Sequence, residues 1–276
     1  MTDTVAVPLE ASQLKRVVLE ASAIANRYWG IRLTVNHKAD GSVITEADTE
    51  LNDFLYEALT RLLPGSGWLS EETRDDRRRL ANDWVWVVDP LDGTNEFVRG
   101  TPEFAISVGL VHQGSAVLGC VVNPASGEGG VGQVGTGTEF WGGLEGRDSA
   151  TSLSEARASV SRTETNDGTV LPYLGLVGTT VTVGSVAYKL LRTAAGHDDL
   201  TFSVQHKSEW DICGGVALLE AAGKVYQRLD GEPLRFNQND TRIRSGALAG
   251  DRVLVDRLQI DMDRTASALL RSTASR

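Results

Sequence analysis

Two aspartates follow an apolar segment in the middle of the chain. Residues 84–97 read WVWVVDPLDGTNEF, in which Asp89 and Asp92 come directly after Trp84–Val88. A short apolar segment before turn residues is typical of a strand buried on both faces, and Pro90 predicts its end because proline lacks an amide donor. Two carboxylates held at a strand end repel each other unless a cation lies between them. Asp and Gly also favour turns, so the pattern alone permits a solvated turn.

Two further carboxylates make a metal site the stronger interpretation. Glu71 follows a loop and Asp211 stands at a predicted helix start, where each alone would be a surface charge or a helix cap. Together with Asp89 and Asp92 they supply the oxygen ligands that Mg²⁺ takes. Two ions about 3.5–4 Å apart need one bridging carboxylate, for which we predict Asp89, and the Leu91 carbonyl would add a backbone oxygen.

The overall composition limits the possible partners. The chain has 276 residues, 41% of them hydrophobic, which is enough for a sizeable core. With 27 basic and 37 acidic residues the net charge is -10, so we expect no nucleic acid polymer and no membrane surface as a partner. A small phosphorylated substrate would need cations at the site. The negative charge also fits a surface that only aids solubility.

The cysteines and the N-terminus point to a reducing compartment. Cys120 and Cys213 lie in apolar stretches and form no CxxC pair, so we interpret them as core thiols. No signal peptide is apparent, and no apolar run approaches the roughly 20 residues that span a bilayer. We therefore expect a cytoplasmic protein. The histidines have no motif support and are interpreted as packing or surface residues: His37, His112, His197 and His206.

Helical spacing of apolar residues predicts helices at residues 9–28 and 46–63, with Thr45 as the N-cap of the second. The charged stretch Arg74–Arg79 is interpreted as solvated. Other patterns predict a hairpin of Phe104–Val111 and Ala116–Val122, a helix opened by Gly184 and Ser185, strands at Leu200–Val204 and Lys224–Gln227, and a helix Ile212–Ala222 capped by Asp211. This order favours a mixed sheet covered by helices.

Three motifs resemble those of a known superfamily. Glu71-Glu72, the sequence DPLDGT at residues 89–94, and Trp210-Asp211 are similar to the metal-site motifs of the inositol monophosphatase-like, lithium-sensitive, Mg²⁺-dependent phosphatases. The resemblance extends from about Lys38 to Gly223. It implies an α/β (mixed α+β) fold, a layered αβαβα sandwich of the inositol monophosphatase/fructose-1,6-bisphosphatase type. It also implies a homodimer that hydrolyses phosphate monoesters.

The resemblance also implies the roles of individual residues. Two or three Mg²⁺ ions, for which Mn²⁺ could substitute, would be held by Glu71, Asp89, the Leu91 carbonyl, Asp92 and Asp211. Glu71, Thr94 and Asp48 would be catalytic, with the Thr94–Asp48 pair orienting the attacking water. Lys38 would lie beside the metal site. The amides of Gly93 and Thr94 would bind the phosphate.

Within the superfamily, several segments are similar to the 3′(2′),5′-bisphosphate nucleotidases: Asn95–Arg99, Gly184–Lys189 and Glu209–Asp211. The substrate-binding residues implied there are Gly184, Ser185, Lys189, Glu209 and Asp211. Lys189 would bind a second phosphate, although a helix lysine that extends to solvent is an equal alternative. Gln205–Ser208 lacks the Gly-Pro-Thr often found in those nucleotidases, and the Gly-rich residues 125–150 are weakly patterned.

The resulting expectation is a phosphoric monoester hydrolase that uses metal-activated water to remove the 3′-phosphate of 3′-phosphoadenosine 5′-phosphate, giving AMP. Alternatives are an inositol monophosphatase, a histidinol-phosphate phosphatase, a phosphatase of sugars or other metabolites, or a catalytically silent binding protein. The polar segment 151–170 suggests a boundary. We predict an N-terminal α+β half, 1–155, and a C-terminal α/β half, 156–276, that form one catalytic unit.

Overall fold

The computed structural model of the protein describes residues 6–38, 41–144 and 146–274, with the backbone alone for 272–274. The outer ends of the two predicted halves, residues 1–5 and 275–276, lie outside the described residues. The α-helices of the described chain are α1 (Ala11–Tyr28), α2 (Glu46–Leu62), α3 (Thr94–Arg99), α4 (Arg162–Asn166), α5 (Val186–Ala194), α6 (Glu209–Ala221) and α7 (Arg252–Ala274).

The strands of the described chain are β1 (Val35–His37), β2 (Val43–Thr45), β3 (Gly67–Ser70), β4 (Trp84–Asp92), β5 (Ala105–His112), β6 (Ser115–Val122), β7 (Gly129–Gln133), β8 (Gly137–Trp141), β9 (Arg157–Ser161), β10 (Thr179–Val183), β11 (Leu200–Ser203), β12 (Lys207–Ser208), β13 (Val225–Arg228), β14 (Arg242–Ile243) and β15 (Ala247–Gly250). Short 3₁₀ helices occupy Arg78–Ala81 and Leu171–Leu176.

The helices and the two larger sheets stack in layers. Helices α1 and α2 pack on one face of a six-stranded sheet with the strand order β3-β4-β5-β6-β7-β8. Helices α5 and α6 cover the opposite face and separate this sheet from a five-stranded sheet with the order β10-β9-β11-β15-β13. Helix α7 covers the far side of the smaller sheet. This αβαβα sandwich confirms the predicted fold class.

The two larger sheets come from different parts of the chain. The strands of the six-stranded sheet lie within residues 67–141, and those of the five-stranded sheet lie within residues 157–250. The division into halves at residue 155 stays a prediction. No helix in the described ranges combines the length and the apolar character that crossing a membrane requires.

The strand β4 explains why the apolar segment before the aspartates is continuous. Trp86 and Val88 pack in the apolar layer formed with α1 and α2, whereas Val85 and Val87 pack in the layer formed with α5 and α6. All four side chains are completely buried. Because neighbouring residues of a strand face opposite sides, a strand between two helical layers needs apolar residues at every position. The predicted buried strand is confirmed, and its carboxyl end is held rigidly.

The predicted end of this strand at Pro90 is wrong, because β4 continues to Asp92. Asp89 lies opposite Ser107 of β5 and Asp92 lies opposite Ala105, so three steps along β4 match two along β5. The extra residue forms a bulge, which is one of the few places where a sheet tolerates proline. The bulge places both aspartates at the carboxyl ends of β3 and β4, which we call the edge of the sheet.

The other predicted elements agree with the structure to within a few residues, with one informative exception. The predicted cap of α6 is wrong, because α6 begins at Glu209 and its N-cap is Ser208. Asp211 lies inside the first turn, and its carboxylate accepts the Ser208 amide at 2.7 Å in a capping box. The sequence patterns did not predict α7.

Glycines allow α6 to approach the six-stranded sheet closely. A Cβ atom on Gly119 of β6 would lie 2.2 Å from the carbonyl oxygen of Gly214 on α6, and one on Gly109 of β5 would lie 2.4 Å from Sγ of Cys213. The first distance is impossible without a shift of the helix backbone, and the second without a shift of the Cys213 side chain or of the helix. This close contact brings the first turn of α6, with Asp211, next to the carboxyl end of β4.

We predict that Gly119→Ala lowers the free energy of unfolding by about 1–3 kcal/mol, because the added methyl group would push α6 away from the sheet. Urea unfolding followed by circular dichroism measures this change. Gly175→Ala is the matched control, since a Cβ atom there meets no atom within 4 Å. Equal stability of the two variants would contradict the close packing of α6.

Candidate active site

Three predicted metal ligands converge at one edge of the six-stranded sheet. Glu71, Asp89 and Asp211 each offer a carboxylate oxygen, and these oxygens lie within 4.8 Å of one another. Glu71 follows β3 and Asp89 lies near the end of β4. Because these strands are parallel neighbours, their carboxyl ends meet at the same edge. Asp211 reaches the edge from the first turn of α6. We refer to the three residues as the acidic cluster.

The acidic cluster is electrostatically unfavourable without a cation. Burial raises the pKa of Asp89 well above its usual range, and the charges of Glu71, Asp92 and Asp211 raise it further. Burial, followed by the charge of Asp92, raises the pKa of Asp211 to about 7. The donors are all oxygens, which are the ligands that Mg²⁺ and Mn²⁺ prefer. The residues present therefore fit a divalent metal ion.

Asp92 lies beside the acidic cluster but is also bound to α5. Its Oδ2 atom accepts hydrogen bonds from the Ser185 hydroxyl and the Ala187 amide, both at 2.5 Å. Burial raises the pKa of Asp92 despite these bonds. The charge of Asp92 helps to raise the pKa of both Asp89 and Asp211. Asp92 therefore has one oxygen fixed by the protein and can offer the other to a metal.

The structure brings the predicted Thr94–Asp48 pair together. The Thr94 hydroxyl lies 3.0 Å from Oδ1 of Asp48 and 3.0 Å from the Leu91 carbonyl oxygen. The other oxygen of Asp48 accepts the amide of Thr45 at 2.8 Å and its hydroxyl at 2.6 Å. Burial raises the pKa of Asp48, while these hydrogen bonds oppose the rise. The hydroxyl is thus held in a fixed direction next to a predicted metal ligand.

Lys38 lies beside the acidic cluster, as predicted. It also pairs with Glu72, for which we predicted no role. Its Nζ atom is 2.8 Å from Glu71 and 2.7 Å from Glu72. Burial acts to lower the pKa of Lys38, but the two glutamates raise it above its usual range. Burial raises the pKa of Glu72 to about 7. Lys38 therefore offsets part of the negative charge and fixes the direction of Glu71.

Glycines shape the backbone around the site. Gly93 has φ +94°, and a Cβ atom there would lie 3.0 Å from the Glu103 carbonyl oxygen. This residue caps α3, so the position requires glycine. The amide of Gly184 donates to the Glu103 carboxylate at 2.9 Å. The hydroxyl of Ser185 is bound to Asp92. Gly184 and Ser185 therefore build the loop before α5 through contacts with the protein itself.

Lys189 does not occupy the position of a phosphate ligand. Its side chain is 2% exposed, and Nζ donates to the carbonyl oxygens of Val183, Gly184 and Ser185 at 3.2, 3.3 and 3.0 Å. Burial lowers the pKa of Lys189 to about 8. The predicted contact with a second phosphate is wrong, and so is the alternative of a side chain that extends to solvent. Lys189 instead fixes the loop that binds Asp92.

Glu209 also has a different role from the predicted substrate contact. It is 1% exposed, and its carboxylate accepts the amides of Asn237 at 2.6 Å and Gln238 at 2.9 Å. Arg79 donates to the Asn237 side chain at 2.7 Å and the Gln238 carbonyl at 2.9 Å. Arg79 is buried, so the prediction that residues 74–79 are solvated is wrong for it. Both charges hold the segment that follows β13.

The chain is similar to several known proteins. A model of the inositol monophosphatase family matches residues 10–261. The inositol-1-monophosphatase of Bacillus subtilis is 27% identical over 82% of this chain and 87% of its own. The 3′-phosphoadenosine 5′-phosphate phosphatase of Mycobacterium tuberculosis is 31% identical over 70% of this chain and 72% of its own. The structure of an IMPase from Thermotoga maritima has the same fold, with a TM-score of 0.79 at 21% identity over 93% of this chain and 99% of its own.

We predict that Asp211→Asn stabilises the protein in EDTA at pH 8 by roughly 1–3 kcal/mol, because it removes one charge from the acidic cluster. The folded-state pKa of Asp211 is raised to about 7. The ionised Asp211 therefore lowers the free energy of unfolding by its full amount above pH 7. This destabilisation declines as the pH falls from 7 towards 4. Thermal unfolding at pH 8 and pH 5 should show the advantage shrinking, and Mg²⁺ should stabilise the wild type more than the variant.

Asp53→Asn is the control for this prediction, since it removes an exposed carboxylate of α2. This variant should match the wild type under every condition. An Asp211→Asn protein that is less stable than the wild type in EDTA at pH 8 would contradict the repulsion within the acidic cluster.

Proposed function

The chain belongs to the inositol monophosphatase family and is a phosphatase, and from that premise we propose that it removes the 3′-phosphate of 3′-phosphoadenosine 5′-phosphate in a Mg²⁺-dependent reaction. The products would be AMP and inorganic phosphate. The convergence of the acidic cluster beside the Thr94–Asp48 pair supports this proposal most directly. These groups match the ones that metal-dependent phosphate ester hydrolysis requires.

The nucleotide substrate has a specific alternative within the family. One relative is named as a 3′-phosphoadenosine 5′-phosphate phosphatase and another as an inositol-1-monophosphatase, at 31% and 27% identity. The catalytic groups described above serve either substrate equally, because both reactions break a phosphate monoester. Inositol monophosphate hydrolysis is therefore the second candidate function, and selectivity must come from contacts outside the acidic cluster.

The roles of the residues follow from their geometry. A bound Mg²⁺ ion would lower the pKa of a water molecule and offset the charge of the phosphate. The Thr94 hydroxyl donates to Asp48, so its oxygen is free to accept a hydrogen bond from the attacking water and orient it. Glu71, which is fixed by Lys38, would accept a second hydrogen bond from that water. The amides of Gly93 and Thr94, where α3 begins, would bind a phosphate oxygen.

Phosphate release by the purified protein tests the proposed function. We predict Mg²⁺-dependent release from 3′-phosphoadenosine 5′-phosphate and a lower kcat/KM for inositol 1-phosphate. Asp92→Asn should abolish release, because the neutral side chain still accepts the bonds from α5 but holds a cation poorly. Preference for inositol 1-phosphate would favour the second candidate. Absence of release from these esters and from histidinol and sugar phosphates would favour a binding protein.

We predict that Thr94→Ala lowers kcat about 10²–10³-fold, the range expected for loss of a positioned group that handles the water proton. Thr94→Ser keeps the hydroxyl and should retain most of the activity. Steady-state kinetics at saturating Mg²⁺ compare the two variants, and circular dichroism checks that both are folded. If both variants lost activity equally, the methyl group of Thr94 would matter and its hydroxyl would not be the water-orienting group.

The assembly and location of the protein remain predictions from the sequence. We propose a homodimer because the family resemblance implies one. Cytoplasmic location is proposed because Cys120 and Cys213 are both buried free thiols in the structure, which suits a reducing compartment.

A further inference from the structure

The burial of Lys189 leaves the second phosphate of the proposed nucleotide without its predicted ligand. Other cations near the site are occupied by carboxylates. Lys38 pairs with Glu71 and Glu72. Two further pairs are Arg162 with Glu103 and Lys207 with Glu164. A second anionic group on the substrate would need a cation that the protein does not already use.

A pocket on the ribbon of β12 and β14 offers such cations. His206, Arg242 and Arg244 line a pocket of about 210 Å³, and we call these three residues the basic ribbon. In the pairing of the two strands, Lys207 lies opposite Ile243 and Ser208 lies opposite Arg242.

Strand alternation places the two arginine side chains on one face. Ile243 is buried, so its neighbours Arg242 and Arg244 point to the opposite, exposed side of the ribbon. His206, which precedes β12, is also exposed and lines the same pocket. The two arginine side chains and the His206 ring therefore lie around one exposed pocket.

The basic ribbon has side-chain hydrogen-bond donors that an anion could use. The Arg244 guanidinium is 2.6 Å from Asp240. In contrast, neither the Arg242 guanidinium nor the His206 ring makes a hydrogen bond or ion pair with any residue in the described ranges. The amide of Arg242 donates to Asp240 at 3.1 Å, which helps to fix the backbone. A cluster of this sign is unusual on a chain with a net charge of -10.

The basic ribbon adjoins the amino end of α6, the helix whose first turn carries Asp211 of the acidic cluster. Ser208, opposite Arg242, is the N-cap of α6, and its amide donates to Asp211 at 2.7 Å. The amide of Glu209 donates to the Thr241 carbonyl at 2.9 Å. One strand pair and one helical turn therefore separate Arg242 from a predicted metal ligand. The amino end of α6 adds partial positive charge at this position.

We propose that the basic ribbon binds the second phosphate group of a bisphosphorylated substrate whose first phosphate lies at the acidic cluster. This assignment rests on the proposed function and adds the residues that select the substrate. The planar guanidinium of Arg242 binds two phosphate oxygens at once, a geometry that lysine does not reproduce. A monophosphate leaves this contact unmade, so Arg242 affects only the binding of the bisphosphate.

Two nucleotides that differ only in the second phosphate test the proposal. Steady-state kinetics of Arg242→Gln are measured on 3′-phosphoadenosine 5′-phosphate and on adenosine 3′-phosphate, in which the same ester bond is broken. We expect KM for the bisphosphate to rise about tenfold or more, as loss of a charged hydrogen bond implies. We expect kcat for both nucleotides and KM for the monophosphate to stay within about twofold. Arg242→Lys should give an intermediate KM for the bisphosphate.

Arg99→Gln controls for general electrostatics, because it removes an exposed positive charge from the last turn of α3. This variant should leave the ratio of the two KM values unchanged. If Arg242→Gln changed both nucleotides equally, or changed the ratio no more than Arg99→Gln, the proposal would be wrong while the proposed function stood. Absence of phosphate release from every ester would overturn both.

A titration with sulfate distinguishes the second phosphate of the substrate from a free anion. We expect sulfate to raise KM more for the bisphosphate than for the monophosphate in the wild type, and equally for both in Arg242→Gln. If sulfate altered the turnover of both nucleotides equally, and Arg242→Gln removed that response without changing the KM ratio, the ribbon would bind a free anion. That outcome would overturn the proposal.

Discussion

Repulsion among closely spaced carboxylates is the constraint on which the rest of the structure depends. Glu71, Asp89 and Asp211 are brought within 4.8 Å by two parallel strands and a helix, and burial strengthens their repulsion by removing solvent. Apolar side chains on both faces of β4 supply the packing that holds the strand end in place. Hydrogen bonds from the backbone amides of Leu91 and Ser208 also fix the carboxylates of Asp89 and Asp211. The fold thus holds the carboxylates of the acidic cluster close together, and a bound divalent cation would offset their repulsion.

The protein uses further buried charges to hold the loops around this arrangement. Lys189 binds the carbonyl groups of the loop that donates to Asp92, while Glu209 and Arg79 bind the segment at Asn237. Each of these charges is nearly fully buried and hydrogen-bonded. Since an unpaired buried charge costs several kcal/mol, by order of magnitude, such groups persist only where their partners are complete. They position other residues and leave the metal and the substrate to different groups.

Local motifs predicted the site better than they predicted side-chain direction. The strand before Asp89 could be inferred from its apolar residues and the turn residues that follow them. The Thr94–Asp48 pair and the place of Lys38 could be inferred only from the resemblance of their motifs to those of the family. Lys189 was misassigned because its position in α5 does not reveal its direction. A helical side chain points back towards the N-terminus, so a lysine four residues after Ser185 reaches the carbonyl groups of its own loop. The end of β4 was predicted wrongly at Pro90, where proline is tolerated only because of the bulge. The bulge depends on how β4 pairs with β5, and the sequence of β4 alone does not reveal that pairing.

Chemistry and selectivity occupy different parts of this architecture, although both use the first turn of α6. The acidic cluster depends on the edge of the six-stranded sheet, which is fixed by packing on both faces. The basic ribbon depends on only a short pairing between β12 and β14 and on the segment that Glu209 holds. Because few core contacts depend on the outer face of the ribbon, Arg242 can change without moving Asp211. A fold built in this way can keep one hydrolytic centre and alter which phosphate esters it accepts by changing exposed residues one strand away.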